Sequence, residues 1–159
     1  MDGAQLDATL QELLQCVQLH LDPAPCQACV VAGPPALDAC CDQDGCSGQL
    51  TVHLLSLVPV DGQLRRAAPT VTPCRPGLLA ADVRVTVARC HPTLDASGAA
   101  PDCQTLDAAA AQLSADVAAI QLALACCGPR TAVASVDVTA PPQGGCIVAV
   151  GSALVELGD

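Results

Sequence analysis

Residues 82–127 decide the fold: DVRVTVARC (82–90), HPTLDASGAAPDC (91–103) and QTLDAAAAQLSADVAAIQLALACC (104–127). Leu106, Ala110, Leu113, Val117, Ile120, Leu124 and Cys127 recur at alternating steps of four and three, which predicts a helix with one apolar stripe. Gln112, Asp116 and Gln121 fall off that stripe, and Gly128-Pro129 is a stop signal. Upstream, Val83, Val85 and Val87 alternate with Asp82, Arg84 and Thr86, the pattern of a strand with one wet face. A strand and a helix with one apolar face each hide them against one another, so this pair is the expected core.

Working outward, Leu6, Leu10, Leu13, Val17 and Leu21 predict a first amphipathic helix over 3–21, ended by Asp22-Pro23. CVVAG (29–33) predicts a short strand inside a Pro/Cys-rich segment. GQLTVHLLSLV (48–58) predicts a longer one, where Leu55 and Leu57 break the alternation and imply a bulge or burial on both sides. Residues 59–77, with four prolines and Arg65-Arg66, are expected to form a long exposed loop. Residues 131–139 and 146–157 predict a terminal hairpin around Pro141–Gly145. The sum is a single α+β domain over 1–159: two helices packed on one face of a mainly antiparallel sheet of four to five strands.

Composition excludes several classes. Phe, Trp, Tyr and Lys are absent, and the six basic residues are all Arg. The core must therefore be built from Leu, Val, Ile, Ala and Cys, with many small, closely packed positions. A net charge of −10 without a basic run argues against a sequence-specific nucleic-acid groove. The N-terminal MDGAQLDATLQELLQ lacks a signal-peptide pattern, and uninterrupted apolar runs are too short for a bilayer, so a soluble protein made in the cytoplasm is expected, without membrane partners.

The twelve cysteines admit three readings. Cys26-x2-Cys29 followed by Cys40, Cys41 and Cys46 offers thiolates at zinc-ligand spacing, but with one clean knuckle where two are usual. Disulfides are the second, with Cys29, Cys40, Cys41, Cys90, Cys126, Cys127 and Cys146 as candidates and no connectivity deducible from spacing. The third is reduced Cys as a small hydrophobe, as Cys127 on the helix stripe and Cys16 near the other suggest. No catalytic constellation emerges: neighbours Cys90 and His91 point to opposite faces of a strand, and Gly144-Gly145 is a turn without a phosphate-loop lysine. Asp95, Asp102 and Asp107 surround the start of the long helix, where capping and the helix dipole account for carboxylates. Neither an enzyme nor a cofactor is expected.

Several short motifs, taken in order, resemble a family of head–tail connector proteins from tailed phages of actinobacteria. They are CVVAG (29–33), DACC (38–41), GQLTV (48–52), VARCHP (87–92), residues 98–101, LDAA (106–109), ACC (125–127) and PQGGC (142–146). Within that machinery the element order looks most like the tail terminator, and less like the β-barrel stopper or the helical adaptor. The resemblance implies a structural virion protein at the neck, assembled in the host cytoplasm. It would be a homo-oligomeric ring, expected to be six-fold, that ends tail-tube polymerisation and joins tail to head. Its partners would be the tail-tube and head-completion proteins, with a lumen for DNA. Ring closure needs heterologous contacts. Strand 146–157 is the expected open edge, and Arg65, Arg66 and Arg75 are the expected contacts to acidic faces of a neighbour.

Overall fold

In the computed structural model, the described residues are 3–34, 40–41, 46–68, 78–127, 131–139 and 145–157. The elements are α1 (Gly3–His20), β1 (Gln27–Val31), β2 (Gln49–Pro59), β3 (Leu79–Cys90), α2 (Cys103–Cys126), β4 (Thr131–Thr139) and β5 (Cys146–Glu156). They form one five-stranded sheet in the order β1-β2-β3-β5-β4. Only β1 runs parallel to its neighbour; the other three pairings are antiparallel. The α+β architecture read from periodicity is the observed one.

Strand alternation divides the sheet into two faces. The inner face carries Leu50 and Val52 from β2, Val83, Val85 and Val87 from β3, and Ala149, Ala153 and Val155 from β5, all in one core with both helices. Helix α1 contributes Leu10, Leu13, Leu14 and Val17, and α2 contributes Leu113, Ile120, Ala123 and Leu124. Small residues let the layers approach. A Cβ on Gly151 of β5 would stand 2.5 Å from Ile120 Cγ2 and 2.9 Å from Leu124 Cδ1. With no aromatic ring available, close approach of backbone to helix is how the inner face is filled.

Helix α2 is rotated from the face its sequence predicts. Leu113, Ile120, Leu124 and Cys127 are buried, but Leu106 is exposed and Val117 only half-buried, while Asp116 is buried at 1% exposure. Arg89 explains the rotation. It lies on the inner face one strand period beyond Val87, where a buried guanidinium needs a counter-ion, and Asp116 supplies it. The first turns of α2, capped by Asp102 accepting from the Thr105 N–H at 2.7 Å, are exposed. The expected bulge in β2 is present, between Leu54 and Ser56, and a second lies between Val133 and Ser135 in β4. Among the described residues, α2 is also long and apolar enough, by length and composition, to cross a membrane. Counting uninterrupted apolar runs overlooked it, because single Gln, Ser and Asp residues interrupt the run without ending the helix. Here α2 lies on the sheet with its one mid-helix acid ion-paired.

Candidate functional site

Three features could carry function: the sheet edges, the turn with the Arg pair, and the cysteine framework. The edges come out differently from expectation. Strand β5 is not an edge: it pairs with β3 from Ala80↔Glu156 to Cys90↔Cys146 on one side and with β4 on the other. A strand long enough to match all of β3 is captured by it, and β4 then caps it. Among the described residues the sheet ends at β1 and β4. Strand β4 carries exposed Asp137 and Val138, whereas β1 has only five residues.

The proposed loop begins as a tight turn. Asp61 accepts from the Gln63 and Arg65 N–H groups at 2.8 and 3.0 Å and from Arg65 Nε at 2.8 Å. These bonds, the Arg65 amide first, hold its carboxyl below the usual carboxylate range. Val60 and Leu64 are buried against Ala80 and Leu154 on the outer face, so this part is docked rather than wholly exposed. Arg65 pairs with Asp61 and Arg66 with Asp82, so both cations already have acids of their own chain, though their side chains remain 72% and 59% exposed. Arg75, Cys74 and the rest of 69–77 lie outside the described residues, as do Gly128-Pro129 and Pro141–Gly144.

Among the described residues the cysteines form four bonds: Cys16–Cys127, Cys26–Cys46, Cys40–Cys146 and Cys41–Cys90. The first joins α1 to the end of α2. The other three gather the segment between β1 and β2 and fasten it to the ends of β3 and β5. Of the candidates named from sequence, Cys40, Cys41, Cys90, Cys127 and Cys146 are bonded. Cys29 and Cys126 are free, as is Cys103. Cys126 faces solvent from α2, and Cys29, half-buried on β1, lies opposite Thr51 of β2. The sequence reading missed Cys16, Cys26 and Cys46 as bonded residues; the two-residue gap had set Cys26 beside Cys29 as metal ligands. The structure instead divides Cys26, Cys40, Cys41 and Cys46 among three disulfides and leaves Cys29 free. Among the described residues no group of three or more His, Cys, Asp or Glu is placed to hold a metal ion.

A clamp sits where these pieces converge. Arg89 Nε and Nη2 donate to Asp116 at 2.8 and 2.7 Å, and Nη1 donates to the carbonyls of Pro23, at 3.1 Å, and Ser47. Gln112 Nε2 donates to the Asp22 carbonyl at 2.9 Å and to Asp116 at 3.2 Å. One guanidinium thus ties β3, α2 and both connections flanking β1. Gly48 is required beside it: its φ is +77°, and a Cβ there would lie 2.2 Å from the Ala88 carbonyl oxygen.

On the outer face, Gln49, Thr51 and His53 of β2 are buried, yet among the described residues Gln49 Oε1, Thr51 Oγ1 and His53 Nδ1 have no hydrogen-bond partner. Burial first, and then repulsion from Arg84, lowers the His53 pKa below 6.5. The acids near α2 do what capping requires. Asp95 accepts from the Ser97 hydroxyl and from the Ser97 and Ala99 N–H groups, ordering its own turn, and Asp102 is the N-cap.

No protein-family model matches the chain, and no curated protein matches it. Among solved structures, it is similar to the sheath/tube terminator of an extracellular contractile injection system, seen by cryo-EM in the extended state. That likeness has a TM-score of 0.32 and 14% sequence identity, and covers 100% of this chain and 58% of the other. The present chain therefore spans less than two thirds of that protein's length.

Proposed function

We propose that this chain is a structural, non-catalytic ring subunit of a tailed-phage neck, acting as a tail terminator. The ordered motifs from CVVAG to PQGGC support the family, and the helix, strands, helix, hairpin order supports the terminator over the barrel or all-helical connectors. The single observation that carries assembly is that, among the described residues, the sheet ends on two different strands, β1 and β4. An unpaired strand is a template for a neighbour's backbone, and joining two unlike edges gives the heterologous contact that a closed ring needs. The ring stops tube polymerisation, meets the tail-tube and head-completion proteins, and leaves a lumen whose acidic surroundings repel passing DNA.

Light scattering and negative-stain microscopy of the purified protein test this. Closed rings are expected, and Val138→Lys on β4 should dissolve them while leaving the fold intact, because an edge lysine opposes strand addition. A strict monomer that also ignores tail-tube protein would sink the reading. The four disulfides favour one second reading, a disulfide-stabilised interaction module; it predicts that same monomer, with a partner unrelated to tails.

A further inference from the structure

Four cysteines meet at one end of the outer face. Cys90 ends β3 and Cys146 begins β5, directly opposite each other in register. Just beyond them, the His91 N–H donates to the Gly145 carbonyl at 2.6 Å. That makes 91/145 the hydrogen-bonded pair and Cys90/Cys146 the non-hydrogen-bonded one, with Cα atoms about 4.5 Å apart and side chains on the same face. A disulfide spans such a separation without backbone movement. Yet these two sulfurs are bonded elsewhere, Cys90 to Cys41 and Cys146 to Cys40. The two bonds also differ in access. Cys41 and Cys90 are exposed, whereas Cys40 and Cys146 are 2% and 4% exposed, packed with Ala88 and Val148.

We propose that this quartet is a thiol-exchange site with two pairings, opened by a low-molecular-weight thiol that enters at Cys41–Cys90. A thiolate RS⁻ attacks Cys41 Sγ; the R–S–Sγ bond forms, the bond to Cys90 breaks, and the electron pair leaves on Cys90. That thiolate lies across from Cys146 and attacks its Sγ. The Cys90–Cys146 bond forms, the Cys40–Cys146 bond breaks, and Cys40 leaves as thiolate and takes a proton from water. A second thiol then resolves the mixed disulfide on Cys41, giving RSSR and a free Cys41. In sum, two external thiols are oxidised to one disulfide, and one protein disulfide is reduced to two thiols. The sheet end stays cross-linked, while the Cys40-Cys41 corner is released from the outer face, still tethered through Cys26–Cys46. The exposed bond therefore acts as the trigger for the shielded one, which a thiol in solution reaches only through Cys90.

The test is a time course of the native protein with reduced glutathione, quenched in acid, alkylated and mapped as non-reduced peptic peptides. A Cys90–Cys146 linked peptide should appear as Cys41–Cys90 disappears. Cys40 and Cys41 should become alkylated, with Cys16–Cys127 and Cys26–Cys46 still intact. Persistence of Cys40–Cys146 after loss of Cys41–Cys90, without a Cys90–Cys146 species, overturns the proposal, as does a starting protein lacking either bond. In the Cys41→Ser/Cys90→Ser double variant no internal thiol is left at this corner, and loss of Cys40–Cys146 should slow by at least about tenfold. An unchanged rate in that variant also overturns it. If the variant does not fold, the wild-type map alone decides.

Discussion

The two faces of the sheet are closed by different physics. The inner face is apolar in every central row and is covered by two helices; its one buried charge, Arg89, has each polar end satisfied. The outer face buries Gln49, Thr51, His53 and Thr86 in the same strands, and three of the polar atoms there have no partner among the described residues. Among the described residues its cover is a turn docked through Val60 and Leu64 at one end and a pair of disulfides at the other. Hydrophobic burial dominates the inner layers, where the Cys16–Cys127 bond adds one link between the two helices. Burying polar groups opposes closure on the outer face, where two covalent bonds hold the Cys40-Cys41 corner down.

The sharpest way to break the contrast is at the clamp. Asp116→Ala should cost roughly 3–5 kcal/mol in denaturant unfolding, because it leaves Arg89 charged, buried and short of its main partner. The double change Arg89→Met with Asp116→Leu should recover most of that loss, and a double variant as unstable as the single one would show that the pair does more than cancel its own charges. Next in size, Gly151→Ala should destabilise by about 1–3 kcal/mol, since Ile120 Cγ2 branches close to its backbone and the helix itself must shift. A midpoint equal to wild type would mean that α2 sits less tightly on β5 than described.

The outer face should answer in the opposite sense. Thr51→Val removes an unpartnered buried hydroxyl and should leave stability unchanged or raise it by about 1 kcal/mol. A clear loss would reveal a partner for that hydroxyl and dissolve the contrast between faces. The smallest effect is the pH response of His53. Its folded-state pKa lies below 6.5, so the folded chain binds fewer protons than the unfolded chain. Its contribution is therefore full above that value and fades as the pH falls through it toward the lowered folded-state pKa. Urea midpoints measured from about pH 7 to pH 5 should decline in wild type and flatten in His53→Gln, after allowance for the other histidines. Identical slopes would remove His53 from the account.

The same contrast explains what was legible beforehand. The inner face announced itself through Val83, Val85 and Val87 and through the three/four spacing of both helices, since each element needs only its own apolar period to be recognised. Asp116 was misplaced as an outward residue because its burial depends on Arg89, 27 positions away. The outer face gave little sign of itself. Gln49, Thr51 and His53 read as a wet row, yet all three are buried. The edge was assigned to β5 for a similar reason: a terminal strand has no local mark that distinguishes an edge from a centre.

The amino-acid sequence by itself determined the elements, their order, the two-layer α+β class and the chemistry available to the core, because periodicity, caps and composition are properties of neighbouring residues. Tertiary structure alone decided the strand order, the inward turn of Asp116 and which of the twelve cysteines meet. Those depend on contacts between residues up to 111 positions apart, as in Cys16–Cys127, and such contacts exist only once the helices and strands have packed.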